Sequence, residues 1–234
     1  MKVAIMQPYF MPYIGYFQML KAVDKFVFYD DVNFIKKGWI NRNRILVGNN
    51  DFTFSIPITN ASQNVAINNT KINQEGFEIW KSKFIQTLNQ NYKKAPQFNM
   101  VDRLIGDILR PTYSTIGQLA SQSVFKTAKY LNIKTKFIMS SAIYNNKELG
   151  RKERLIEICK TENATHYINA LGGQELYKKE DFFVDDIQLY FLKTLPVKYE
   201  QFNSEFIPWL SIIDVLMFNS VEEVNVMLDK YELI

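Results

Sequence analysis

The chain has 234 residues, of which 47% are hydrophobic and 15% aromatic, with a formal net charge of +4; it is long enough to bury a sizeable core and too apolar for a disordered segment. Its apolar runs fall well short of the roughly 18 residues that a membrane span needs, and its N-terminus shows no basic and apolar leader pattern. A single cysteine, Cys159, excludes an internal disulfide framework and a cysteine-rich metal cage, so a cytoplasmic protein is expected.

Val3 to Met6 reads as a short buried strand and Tyr13 to Val23 as a helix with Pro12 at its first turn. The run KFVFYDD, residues 25–31, reads as a second buried strand ending in acids. Strand, helix and strand in such a short span form a βαβ unit with parallel strands. The connecting stretch MQPYFMPYIGYFQML, residues 6–20, is unusual in holding two prolines, three tyrosines and one glycine. In a parallel sheet, ligands settle at the carboxyl ends of the strands, where this turn lies. Tyr9, Tyr13 and Tyr16 offer flat faces and hydroxyls for a ring, and Gly15 keeps the backbone uncluttered. Packing of the tyrosines against the next segment is the competing account.

Residues 31–75 are β-rich, with Gly48-Asn49-Asn50 a hairpin turn, and are expected to form an insertion within one α/β domain spanning residues 1–234. Within it, KKGWINRNR at 36–44 is the densest polar cluster of the chain. On a strand Asn41 and Asn43 share one face and Arg42 and Arg44 the other. Arginine forks and Lys37 suit phosphate, and Trp39 suits a stacked ring. Residues 1–47 hold seven lysines and arginines against three aspartates, so the whole positive excess lies there. That fits an anionic small ligand, a nucleotide or sugar phosphate, and is too weak for nucleic acid.

Helices are expected over 76–92, where Phe77, Trp80, Phe84 and Leu88 make a core stripe, over 96–109, and over 115–131 behind a Thr115–Gln118 capping box. KTKFIMSS is the next strand, residues 150–164 a helix with Leu155, Ile158 and Cys159 inward, and THYINA and IQLYFLKT further strands. The last two segments, from Leu210 onward, read as helices, with Ser211 and Asp214 matching a capping box. This alternation predicts a doubly wound α/β protein.

Among the acids, Asp30 and Asp31 alternate faces, so one is expected to reach the cleft as a general base or a ligand of Mg²⁺, unless they pair with Arg42, Arg44 or Lys37. NALGGQELY, residues 169–177, follows a strand, and Asn169, Gly172, Gly173 and Tyr177 are candidate substrate contacts through close backbone approach or a left-handed turn. His166 is the only histidine, so any histidine acid–base chemistry must use it, although its place at the start of a strand favours a structural role.

The motifs IMQPYFMPYIGYFQML, VDKFVFYDDVNFIKKGWINRNRI, YINALGGQELY and FIPWLSIIDVLMFN closely resemble the WbqC-like protein family, from Val3 to about Asn219. The resemblance implies a part in making O-antigen, capsule or a related glycan, through transfer of glycine or a similar acyl group onto a sugar. A more distant likeness is to HIGH-motif nucleotidyltransferases: YIGY at 13–16 places Gly15 as that motif does, with tyrosines for both histidines, and Ser140-Ser141 followed by Gly150-Arg151-Lys152 loosely echoes their second motif. The expected fold is therefore a nucleotidyltransferase-like or Rossmann-like parallel sheet with an inserted hairpin region and C-terminal helices.

The function expected is transfer of an acyl or aminoacyl group to a nucleotide-linked amino sugar. Arg42, Arg44 and Lys37 hold phosphates, the tyrosines and Trp39 clamp rings, Asp30 or Asp31 receives the amine proton, and Gln7 with Asn41 orients the substrate. The donor is coenzyme A or an acyl carrier protein. The alternatives are an adenylyl or nucleotidyl transferase using ATP and Mg²⁺, and a non-catalytic nucleotide-sugar binder.

Overall fold

A computed structural model describes residues 1–48, 50–59, 61–202 and 205–234. Asn49, the centre of the expected hairpin turn, lies outside the described residues. The apolar run behind Met1 forms β1 (Lys2–Met6), whose Val3, Ala4 and Ile5 are buried. β1 pairs in parallel with β2 (Lys25–Phe28) through the helix α1 (Ile14–Lys21), as the βαβ reading requires. β2 continues to β5 (Lys136–Ile138), and on its other side β1 pairs with β6 (His166–Ala170), which pairs with β7 (Gln188–Thr194). The order β5-β2-β1-β6-β7 is parallel throughout, and β8 (Tyr231–Leu233) adds an antiparallel edge. The direction of chain progression reverses between β1 and β6, which places a topological switch point there.

Alternation along the strands divides the core. Ala4, Phe26, Phe28, Ile168 and Leu192 face a layer containing α1, α3 (Phe98–Leu109), α4 (Ile116–Tyr130), α7 (Ile212–Phe218) and α8 (Val221–Met227). Val3, Ile5, Val27, Tyr167, Leu189 and Phe191 face α5 (Arg151–Thr161) and the short α6 (Lys179–Phe183). Cys159 is buried in that second layer, and burial pushes its thiol up to about 12. The Thr115–Gln118 capping box forms as the sequence predicts.

A separate antiparallel hairpin, β3 (Arg42–Val47) with β4 (Asn50–Ser55), carries only the end of the polar cluster, Arg42–Arg44; Lys36 to Asn41 lie on turns before it, so Asn41 does not share a strand face with Asn43. The stripe of α2 (Gln74–Tyr92) clamps it: Phe54 lies 4.7 Å from Phe84, and Trp80 stacks on Phe84 at 4.8 Å. Three segments depart from expectation. The β-rich pattern expected over 31–75 does not carry through to its end: Ile67 and Asn68 lie in a 3₁₀ turn and give their N–H groups to the carbonyls of Val32 and Asp30, just past β2. Strand β5 stops at Ile138, because the Ser140 side chain caps a 3₁₀ turn over Ser141–Tyr144. The last segment leaves its helix at Met227 and becomes β8, whose pairing with Leu192–Thr194 of β7 satisfies an otherwise open sheet edge.

Candidate functional site

The aromatic turn divides into a buried half and an open half. Phe10 and Met11 are buried beneath the hairpin, with Phe10 edge-on to Phe54 and Trp80. Met11 is left-handed at φ 43°, a costly state for a side-chain-bearing residue. Its backbone is held on both sides: its N–H donates to Ser123 Oγ at 3.0 Å, and its carbonyl accepts from Asn43 Nδ2 and Ser211 Oγ, both at 2.6 Å. Tyr16 is buried and donates its hydroxyl to the Gln7 carbonyl at 2.8 Å, so it supports the turn from below. Gly15 has a steric reason. A Cβ there would meet the Tyr13 ring at 2.4 Å and Thr194 Oγ1 at 2.5 Å.

Above this base lies a cleft of about 240 Å³ lined by Tyr9, Pro12, Tyr13, Trp39, Asn43, Arg44 and Trp209. Trp209 meets Tyr13 edge-on at 6.0 Å, is left-handed at φ 62°, and stays half exposed. Arg44 donates through Nη2 to the Trp209 carbonyl at 3.2 Å and pairs with Asp51 at 2.8 Å, while its buried Nε has no partner among the described residues. Burial and the neighbouring Tyr13 push the Tyr9 phenol up to about 12, and burial raises Tyr13 against a smaller pull from Thr194. Both phenols are thus neutral donors at physiological pH. The cleft offers aromatic faces, hydroxyls and one guanidinium, the equipment for a polar ring carrying an anion.

The acids at the end of β2 occupy a different place. Neither lines the cleft, and their partners are not the basic residues of the hairpin. Asp31 pairs with Arg154 at 2.7 Å, with both side chains almost fully buried, and its other oxygen accepts from Ser141 Oγ. Arg154 also donates to Asn146 Oδ1 at 3.1 Å and lies over the Tyr29 ring. Asp30 uses only Oδ1, which accepts from Ser140 Oγ at 2.7 Å and the Ser141 N–H at 3.2 Å; its Oδ2 has no hydrogen-bond partner among the described residues. Burial raises the Asp30 carboxyl, partly offset by Ser140. The two neighbouring aspartates therefore differ: Asp31 is a buried brace and Asp30 keeps a free oxygen.

The remaining candidates scatter. Arg42 donates Nε to the Gly38 carbonyl and backs the Trp39 ring at 5.2 Å, so it supports the cleft wall. Asn41 is spent on the Ile56 carbonyl, and Lys37 is exposed on a left-handed turn. Gly173 is packed against the Asn169 amide, with 2.6 Å from its would-be Cβ to Nδ2, whereas Gly172 faces open space. Neither glycine is left-handed. Tyr177 sits edge-on to Phe182 in the second core layer. His166 stands at the amino end of β6, opposite the cleft, and stacks on Tyr190 at 5.8 Å.

The model of the WbqC-like protein family matches residues 7–226. The chain belongs to the WbqC-like protein family. It is 28% identical over 221 residues to the uncharacterized protein Rv1507c of Mycobacterium tuberculosis, with 93% of each chain covered. No solved structure matches it. Among the described residues of this WbqC-like chain, no helix is long and apolar enough to cross a membrane.

Two residues that brace this WbqC-like chain, Arg154 and Trp209, carried no local signal, and a third, Asp214, carried a misleading one. Arg154 lies on a helix of ordinary charged pattern, and its partner Asp31 is 123 positions away. Trp209 looks like one aromatic in an apolar run. Asp214 does not complete a capping box: Ser211 caps through the Ile213 N–H, and the Asp214 carboxylate turns inward to accept from Tyr92 and Tyr199 hydroxyls, both at 2.6 Å.

Proposed function

We propose that this protein transfers an acyl or aminoacyl group to a nucleotide-linked amino sugar, the step that the WbqC-like resemblance connects with O-antigen or capsule assembly. The observation that carries the reading is the cleft in which Tyr9, Tyr13, Trp39 and Trp209 surround a space beside the Arg44 guanidinium. One ring of the ligand stacks on such faces, and a phosphate takes the guanidinium. In the reaction, the amine nitrogen attacks the carbonyl carbon of an acyl thioester carried by coenzyme A or a carrier protein. The C–N bond forms, the C–S bond breaks, and sulfur leaves with the electron pair as a thiol after the nitrogen gives up a proton. Neutral phenols stabilise the developing oxyanion, and the amine proton passes through water to the departing sulfur, since neither Asp30 nor Asp31 lines the cleft.

A second reading, nucleotidyl transfer with ATP and Mg²⁺, draws support from the strand order β5-β2-β1-β6-β7 with a ligand turn at its switch point. Among the described residues no group of three or more acids, histidines or cysteines converges, and Asp31 is neutralised by Arg154. Mg²⁺ would take Asp30 and phosphate oxygens.

Thermal-shift measurements with UDP-, dTDP- and GDP-linked amino sugars, ATP and coenzyme A, each with and without Mg²⁺, test these readings. A ligand at a hundred times its Kd stabilises by about 2.7 kcal/mol. A shift with a nucleotide sugar that is lost in Arg44→Ala is the expected result. A shift with ATP and Mg²⁺ alone overturns the first reading in favour of the second.

A further inference from the structure

Trp209 borders two clefts. Besides the ring cleft it lines a second of about 280 Å³, walled by Ile14, Val197, Phe206, Pro208, Leu210 and Trp209 itself. The two clefts meet along consecutive residues, since Tyr13 lines the first and Ile14 the second. The charges on the apolar cleft are Lys198 and Glu205, one of each sign. Its volume lies just under the range of about 300–1,000 Å³ of pockets that enclose drug-sized ligands, too little for a whole coenzyme and enough for a short chain.

The walls of this cleft are held open by polar contacts behind them. The Gln201 side chain grips Ile207 on both backbone atoms, with Oε1 accepting from its N–H at 2.9 Å and Nε2 donating to its carbonyl at 3.2 Å. Buried Asp214 takes Gln201 Nε2 at 2.8 Å and the Tyr199 hydroxyl at 2.6 Å. Tyr199 in turn meets Phe206 edge-on at 5.1 Å. The polar atoms of the segment point inward to Asp214, leaving proline, valine and aromatic side chains to line the space. Apart from Lys198 and Glu205 the lining is mostly apolar, so an alkyl chain gains from every methylene, whereas a glycyl ammonium loses hydration along most of the wall.

We infer that this second cleft is the donor's acyl subsite and that it takes an uncharged aliphatic acyl chain, with Trp209 separating the chain from the sugar ring. The inference rests on the acyl-transfer reading and narrows it to an alkanoyl rather than a glycyl donor. Coenzyme A and carrier proteins present the same thioester, so the carrier lies outside the cleft in either case.

The test uses N-acetylcysteamine thioesters of acetic, butanoic, hexanoic and octanoic acid, and the glycyl thioester, titrated into the intact protein while tryptophan fluorescence is read. Affinity should rise about fourfold per methylene until the chain fills the cleft, and the glycyl thioester should bind no better than the acetyl one. Val197→Trp should remove the chain-length dependence, and Phe206→Ala should move the plateau to longer chains. Each variant is checked for an unchanged melting profile. Affinities flat with chain length, or a dependence that survives in both variants, overturn the inference. Nucleotide-sugar titrations run in parallel separate the two claims. Sugar binding without chain-length dependence refutes the acyl subsite alone, and chain-length dependence without sugar binding refutes the acceptor reading.

Discussion

Arg44 grips Trp209 by its backbone: Nη2 donates to the Trp209 carbonyl at 3.2 Å, and two residues on, the Ser211 N–H donates to the Arg44 carbonyl at 2.8 Å. The hairpin and the C-terminal segment are thereby fixed to each other across the mouth of the cleft. One guanidinium serves both to set the wall and to offer positive charge.

Arg44→Ala should therefore weaken nucleotide-sugar binding strongly. A hydrogen bond to a charged group contributes about 1.5–3 kcal/mol, which corresponds to roughly 10–150-fold in Kd. Arg44→Lys should restore little, because an ammonium on a flexible stem does not reproduce the planar fork spanning Asp51 and the Trp209 carbonyl. Isothermal titration with a UDP-linked amino sugar reads the effect, and wild-type affinity in Arg44→Ala would remove this residue from the site.

The two neighbouring aspartates should differ in their weight on stability. Asp31→Asn leaves the Arg154 guanidinium buried without its counter-ion, a loss of about 3–5 kcal/mol and roughly 6–20 °C in Tm. Asp30→Asn leaves that pair intact and should melt much closer to wild type. The opposite ranking of the two melting temperatures would contradict the division of labour described here.

That division shows which parts of the molecule a sequence reveals. Local patterns sufficed for β1, α1, the Thr115 cap and the α2 stripe, because hydrophobic period and capping act within a few residues. The pairing of Asp31 with Arg154 joins elements 123 positions apart, and no local pattern encodes it. The end of the chain misled for a related reason: residues 231–233 have a pattern compatible with a helix, but the open edge of β7 recruits them as a strand. The aromatic turn was legible as a special place. Its split into a buried Phe10 and open Tyr9 and Tyr13 depended on where the hairpin landed.

Acid sensitivity should trace to Glu162. Burial pushes its carboxyl up, but its hydrogen bond and charge pairing with Lys25, and the Tyr144 hydroxyl at 2.6 Å, outweigh this and hold it below its ordinary 4.5. A depressed carboxylate contributes stability above its unfolded pKa and loses it as pH falls through the lowered folded value. Glu162→Gln should thus cost stability at pH 7 and flatten the fall in Tm below about pH 4.5. Asp30 and Asp214, both raised chiefly by burial, act with the opposite sign, since the folded state holds their protons more tightly. An acid limb unchanged in Glu162→Gln would assign the sensitivity elsewhere.

Trp209→Gly and Trp209→Ala should separate backbone strain from ring packing. The left-handed backbone at φ 62° costs a side-chain-bearing residue about 1–2 kcal/mol, and glycine relieves it while adding about 0.5–1 kcal/mol of unfolded-state entropy. The residue is 54% exposed, so removing the ring also forfeits the burial of the remainder, about 2–3 kcal/mol. That loss is common to glycine and alanine, so both variants should melt below wild type and the relieved strain shows as the difference between them. Trp209→Ala keeps the strained backbone without the ring and should melt below Trp209→Gly. Both substitutions remove the wall shared by the two clefts, so both should lose nucleotide-sugar affinity and the chain-length dependence of thioester binding together. Calorimetric melting of the two variants beside the same titrations decides the matter: if glycine lowers Tm as much as alanine does, the strain at Trp209 is not what the surrounding hydrogen bonds are opposing.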